Sequence, residues 1–218
     1  MSTIVRVEGL TRRFGRRWAL RGVNLEVESG TVVALLGANG TGKTTLLRVF
    51  STLLRPTAGR VEVLGSLLPR DRDPVREKTA LMTPNGHAYE ELTGLENLRF
   101  AARMSGRPPP PDQALREVLT GVHLGNAADT RVRAYSTGMR KRLELARMQL
   151  RTLDLVLLDE PFVSLDEEGV ELVQRIIAGW RNEGTTVIIA SHRVADATAR
   201  ANRIVRLERG RVASEEAV

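Results

Sequence analysis

"TVVALLGANGTGKTTLLRVF", residues 31–50, is the stretch that decides the fold. Its first part, "TVVALLG", is continuously apolar, as expected of a strand buried on both faces. Its last part, "LLRVF", reads as helix. Between them "GANGTGKTT", 37–45, has the spacing G-x-x-x-x-G-K-[ST] in the strand–loop–helix setting that the motif requires. Gly37, Gly40 and Gly42 let successive backbone N–H groups face inward. Those donors, with the positive end of the following helix, can hold a polyphosphate. Lys43 adds a point charge for the β- and γ-phosphates, and Thr44 offers a hydroxyl to Mg²⁺. A glycine-rich turn with a chance lysine would carry the same letters, but without both flanks.

Outward from this loop the chain keeps supplying strands. "IVRV" at 4–7, "VNLEV" at 23–27 and "GRVEVLG" at 59–65 place apolar residues at every second position, the pattern of half-buried strands. "LVLLD" and "TVIIAS" repeat the fully buried kind after residue 155. In 167–182, Val170, Val173, Ile176, Ile177 and Trp180 recur at helical spacing. Strands alternating with helices predict an α/β fold with a mainly parallel sheet. The middle, roughly 88–135, shows no strand pattern. There "TGLENLRFAARMSG" predicts a helix ended by Gly106, "PPPP" at 108–111 blocks continuation, and Asp112 is placed to cap the next helix, "QALREVLTGV". After Arg209-Gly210, a hairpin turn, the polar end is expected to fray.

Bulk numbers remove several classes. At 218 residues, with 42% hydrophobic and 27% charged, the chain suits one large domain and argues against disorder. No apolar run reaches the roughly 18–20 residues of a bilayer helix, and "MSTIVRVEGL" does not read as a signal peptide. Without cysteine there is neither a disulfide framework nor a thiolate metal site, which fits the cytoplasm. The net charge of +7 comes mostly from arginine, lysine occurring only at 43, 78 and 141. Such a surface suits nucleic acid, anionic lipid or nucleotide, and equally a coding bias that spreads arginine over solvated faces.

A phosphate loop needs carboxylates at the end of a neighbouring buried strand. "LDLVLLDEP" supplies them: Asp159 to hold Mg²⁺ through water, Glu160 to orient or deprotonate the attacking water. His192, ending the next apolar strand in "IIASH", points to the same place. One stretch is still unexplained at this level. "AYSTGMRKRLELAR", 134–147, is a polar turn running into a basic helix. Taken alone it is a Ser-capped helix start.

Taken together, these motifs resemble the ATP-binding cassette ATPases over nearly the whole chain. The phosphate loop, "YSTGM" at 135–139, "LLDEP", "SLD" at 164–166 and His192 follow in that family's order. The resemblance implies a P-loop NTPase core with a mainly parallel sheet, an N-terminal antiparallel β subdomain and an inserted helical subdomain. It assigns 1–84 and 152–218 to the core with its β subdomain, and about 85–151 to the helical part. It implies ATP and Mg²⁺ as ligands. Gly37, Asn39, Gly40, Thr41, Gly42, Lys43, Thr44 and Thr45 would hold ATP, and Phe14, which alone reads as a core residue, would stack on adenine. Glu160, His192 and Lys43 would be catalytic, with Thr44 and Asp159 on the metal.

"YSTGM" stands where the family has its signature, usually Leu-Ser-Gly-Gly-Gln, a loop that serves the nucleotide of a second subunit. Ser136, Thr137 and Gly138 would therefore face a partner's γ-phosphate, and Asp166 would touch the partner's site. Thr137 and Met139 depart from the family's glycine and glutamine. The family's glutamine near the start of the helical subdomain is also missing: Pro84 or Asn85 aligns there, with Asn85 the coupling candidate and His87 a remote substitute. The resemblance implies a homodimer, or a dimer with a paralogue, driving export through polytopic permease subunits from the cytoplasmic face of the membrane. "YEELTGLENLRFAARMSG" and "YSTGMRKRLELAR" are similar to exporter-type cassettes, multidrug-type and haem-export ones among them, and "LDEPFVSLDEEGVELV" is similar to the haem-export group. The alternative is a soluble cassette working on nucleic acid or ribosomes. Direct nucleic-acid contact is not expected, with aromatics at only 4% to stack on bases.

Overall fold

A computed structural model describes residues 2–84, 86–105 and 108–218. Strand β1 (Thr3–Phe14) turns back into β2 (Arg17–Glu28) as an antiparallel pair. Val23, Leu25 and Val27 go inward while Asn24, Glu26 and Glu28 face out, the period of two read from the sequence. Strand β3 (Val32–Leu36) is buried at every residue and passes through the glycine loop into helix α1 (Lys43–Phe50). β4 (Ala58–Val63) returns to pair with β1, and β5 (Ser66–Leu68) pairs with β4, giving a four-stranded sheet of order β2-β1-β4-β5.

After α2 (Asp73–Lys78) and β6 (Thr79–Met82) the chain turns helical, as the missing strand pattern indicated. α3 (Gly94–Met104) opens with a capping box: Thr93 Oγ1 accepts the Glu96 N–H, and Glu96 accepts the Thr93 N–H. α4 (Asp112–Gly121) and α5 (Thr137–Gln149) follow. β7 (Leu155–Asp159), α6 (Glu167–Asn182), β8 (Thr186–Ser191), α7 (Val194–Thr198), β9 (Arg203–Glu208) and β10 (Arg211–Ala217) complete the order. The second sheet runs β10-β9-β3-β8-β7-β6, with β9, β3, β8 and β7 parallel to one another and β10 antiparallel to β9. The fold is α/β, with an antiparallel sheet and a mixed, mostly parallel one. Burying a Val, Leu or Ile side chain is worth about 1.5–3 kcal/mol, and β3, β7 and β8 are buried throughout, so these strands anchor the sheet.

The chain divides into two compact units. The first comprises residues 1–81, 153–162 and 173–218, and the second 82–152 and 163–172. Residues 163–172 thus cluster with the helical unit, whereas the sequence places them in the core. In the first unit Leu10, Leu20, Val33, Leu46, Phe50, Leu157, Ile188 and Leu207 belong to one core.

Two local expectations need correction. Asp112 does not cap α4: Pro111 does, in extended backbone, and Asp112 is the first helical residue. Its carboxylate still faces the positive helix end and accepts from Arg99 Nε at 3.2 Å and Nη2 at 2.7 Å. The end of the chain does not fray. Arg209 and Gly210 both take positive φ, 48° and 80°, which closes a hairpin and adds β10 to the sheet edge. Gly106 and Asn85, named above as a helix stop and a coupling residue, lie outside the described residues.

Candidate functional site

The first unit holds the glycine loop, the strand-end acids and His192. Gly37 and Gly42 are required by close approach. A β-carbon at Gly37 would stand 2.4 Å from the Leu207 carbonyl oxygen, and one at Gly42 2.7 Å from that of Ala19. Gly42 is also the N-cap of α1 at φ 112°, and no side chain caps that end. The first-turn N–H groups are therefore open to an anion. Lys43 is buried, and its Nζ donates to the carbonyls of Gly37 at 2.6 Å and Ala38 at 3.2 Å. Its ammonium is held inside the loop by weak neutral acceptors that a phosphate would outbid.

Asp159 ends β7 fully buried, and among the described residues neither of its carboxylate oxygens has a hydrogen-bond partner. Burial pushes its carboxyl pKa up; the Glu160 charge adds to this, while the Thr44 hydroxyl, Arg48 and Lys43 act against it. An orphaned buried carboxylate beside a hydroxyl is what a hydrated Mg²⁺ would use. Among the described residues no cluster of three or more His, Asp or Glu side chains could cage a metal. Mg²⁺ needs only one or two protein ligands and takes the rest from phosphate and water.

Glu160 is the residue that converges with the others. Parallel register sets Asp159 opposite Ala190, so Glu160 emerges beside Ser191 and His192. Its Oε1 lies 3.0 Å from His192 Nδ1 and 3.9 Å from Lys43 Nζ. Its Oε2 accepts from the Ser191 hydroxyl at 3.1 Å and the His192 N–H at 3.4 Å. The backbone there sits at φ 51°, a region that non-glycine residues occupy at a cost of about 1–3 kcal/mol. Ser191 escaped the sequence reading. It is fully buried, donates to Glu160 and accepts the Arg193 N–H at 3.0 Å, while Arg193 Nη1 donates to the Phe162 carbonyl at 2.8 Å. Only the strand register could have revealed it.

Phe14 is 45% exposed, so it is not a core residue, and the Arg12 guanidinium lies 4.5 Å from its ring centre. One aromatic face is thereby already covered by a cation.

The second unit carries Ser136, Thr137, Gly138 and Asp166. Ser136 is the N-cap of α5, its Oγ accepting the Met139 N–H at 3.2 Å. Tyr135 beside it is buried and donates to the Ala127 carbonyl at 2.6 Å, which anchors the turn. Ser136 and Thr137 are exposed, whereas Gly138 is packed: a β-carbon there would be 3.4 Å from the Ser164 carbonyl oxygen. Asp166 caps the next helix by accepting the Gly169 N–H at 2.9 Å. His87 has a partner the sequence did not suggest. Its N–H donates to Glu144 Oε2 at 3.3 Å, and its Nδ1 lies 3.8 Å from Glu144 Oε1. Its hydrogen bond to the Glu144 carboxylate raises the His87 pKa against the opposing effect of burial.

Residues 20–163 match the model of the ABC transporter family, described as "ABC transporter". The chain belongs to that family. This cassette is 38% identical over 214 residues to the daunorubicin resistance ATP-binding protein DrrA3 of Streptomyces coeruleorubidus, covering 98% of the cassette and 68% of that protein. It is 36% identical over 215 residues to the aliphatic sulfonates import ATP-binding protein SsuB 2 of Xanthomonas axonopodis pv. citri, covering 98% of the cassette and 71% of that protein. The cassette spans about two thirds of the length of the daunorubicin-resistance relatives, from 64% to 68%. Among solved structures, the ATP-binding cassette MJ0796, in a dimeric post-hydrolysis state bound to ADP and Pi, superposes with a TM-score of 0.88 at 26% identity, over 98% of both chains. The cassette is an ATP-binding ATPase of the ABC type, working with ATP and Mg²⁺. Among its described residues no helix is long and apolar enough to cross a membrane.

Proposed function

We propose that two cassettes close on two ATP molecules and, by hydrolysing them, drive export through separate membrane-spanning subunits from the cytoplasmic face of the membrane. The observation carrying this reading is the convergence of Lys43, Asp159, Glu160 and His192 in one unit, while the Ser136 turn belongs to the other. The dimeric state of MJ0796 supports pairing. The partner is a second copy or a paralogous cassette.

In this mechanism Lys43 leaves the Gly37 and Ala38 carbonyls for the β- and γ-phosphates, and the loop N–H groups of Asn39 to Thr45 hold the phosphate chain. Phe14 offers its uncovered face to the adenine ring. Thr44 and Asp159 would hold Mg²⁺, which would supply charge neutralisation to the phosphates. Glu160 accepts a proton from the water that attacks the γ-phosphorus, as the bond to the β-phosphate oxygen breaks and ADP leaves with the electron pair. Ser191 and His192 hold that carboxylate in place, and the Glu160 contact in turn keeps the His192 ring beside the γ-phosphate. From the partner, the Ser136 hydroxyl, the Gly138 N–H and the start of α5 approach the same phosphate, with Asp166 at the junction. The segment around Asn85 and His87 transmits closure to the permease.

Export of a drug-like or lipid-like solute is supported by the identity to DrrA3, a daunorubicin resistance protein. The test is a mild-detergent pull-down of tagged Glu160→Gln protein with ATP and Mg²⁺. Co-purification of a polytopic membrane protein is the expected result; ribosomal or nucleic-acid partners without one would overturn the transporter reading.

A further inference from the structure

The turn between β1 and β2 carries four arginines and two aromatic rings in "RRFGRRW", residues 12–18, with no acid among them. Cross-strand register pairs Arg13 with Trp18 and Phe14 with Arg17. Directly opposed residues share one face of a two-stranded ribbon, so Arg17 stands on the Phe14 face. Two of the four arginines are already engaged. The Arg12 guanidinium covers Phe14, and that of Arg13 lies 5.4 Å from the centre of the Trp18 ring. Arg17 is different. Among the described residues it has no hydrogen bond and no carboxylate partner, yet its guanidinium does not simply trail into solvent. Its Nη2 lies 3.6 Å from the position a β-carbon would take at Gly40, inside the phosphate loop.

We propose that Arg17 is a second phosphate-binding cation, gripping the polyphosphate of a bound nucleoside di- or triphosphate from the β1–β2 turn. The inference rests on the phosphate-loop reading and adds to it a residue from outside the loop. The two cations differ in kind. Lys43 is buried and holds the carbonyls of Gly37 and Ala38, so it acts as a point charge from within the loop. Arg17 is exposed at Gly40 and offers a planar fork that can bond two phosphate oxygens at once. Because Phe14 is its cross-strand partner, one rigid turn would contact the base through Phe14 and the phosphates through Arg17. That coupling favours ligands that present both, and an unpaired guanidinium at the loop also draws anions from solution.

The test is calorimetric titration of the whole chain with two probes, inorganic tripolyphosphate and Mg²⁺–ATP, in wild type, Arg17→Ala, Arg17→Lys and Lys43→Ala. Arg17→Ala is expected to weaken both probes by roughly 10- to 100-fold, the size of a lost charged hydrogen bond. Arg17→Lys should recover part of the loss, since the charge returns without the fork. Arg17 is exposed and makes no internal bond, so its variants should keep the wild-type melting temperature. Unchanged tripolyphosphate affinity in Arg17→Ala, with affinity lost in Lys43→Ala, would overturn the proposal and leave the phosphate loop standing. So would a loss confined to ATP, which would place Arg17 on the base or ribose. Equal binding of both probes by wild type and Lys43→Ala would remove the phosphate-loop reading itself, and Arg17 with it.

Discussion

The strand-end cluster around Glu160 and the turn before α5 are both built from short polar motifs, yet they are held in opposite ways. At the cluster, charge is buried and left incomplete: Asp159 has both oxygens orphaned among the described residues, Lys43 hydrogen-bonds to carbonyls with the Glu160 carboxylate 3.9 Å away, and Glu160 sits in strained backbone. At the turn the side chains are engaged. Ser136 caps α5, Tyr135 is bonded to Ala127, and Gly138 is packed against Ser164. The first region costs the fold stability and is relieved by a ligand. The second stabilises the fold through its side chains and leaves first-turn N–H groups for something brought to it.

Glu160→Gln would widen the contrast most. It should lower ATP turnover by about 10²–10⁴-fold, the usual worth of a general base, while ATP affinity persists and the dimer accumulates on size exclusion. Wild-type turnover would break the assignment. Lys43→Ala should weaken ATP binding about 10- to 100-fold, as expected when a charged hydrogen-bond donor to an anion is lost, and calorimetry reads it directly.

Asp159→Asn sharpens the comparison through pH. The folded-state pKa of Asp159 is raised by burial, so its ionisation penalises the nucleotide-free fold. That penalty is absent below the unfolded-state pKa and fully present above the raised folded value, so stability falls as pH rises between the two. The Asn variant should therefore melt a few degrees higher than wild type at neutral pH without nucleotide. The gain should vanish below the carboxylate range, and the Mg²⁺-dependent part of ATP stabilisation should be lost. Melting curves at two pH values decide it.

Ser136 gives the smallest effect on the fold. Ser136→Ala removes a cap worth about 1 kcal/mol, a fall of about 2–4 °C in melting temperature for a chain of this size. Ser136→Asp keeps a capping oxygen but sets a carboxylate where a partner's γ-phosphate would come. It should melt like wild type and lose turnover. Full turnover in that variant would mean that the turn is a helix start and nothing more.

Motifs that are contiguous in the chain were legible in the sequence. The glycine loop declares itself because its spacing and both flanks are covalent neighbours, and α6 follows from apolar spacing alone. The end of the chain misled because Ala-Ser-Glu-Glu has no apolar alternation; β10 forms through backbone pairing with β9 at a sheet edge, where side chains impose little. Phe14 misled for the reverse reason, as an apolar residue that the hairpin carries to the surface.

By itself the sequence determined the α/β class, the phosphate loop, the acid pair and the cassette likeness, since each depends on residues close together in the chain. Tertiary structure alone decided that Ser191 joins Glu160, that Glu144 binds His87, and that Arg17 reaches Gly40. Those contacts are set by strand register and by turns that bring distant segments within a few ångströms, and no local pattern of residues encodes a register.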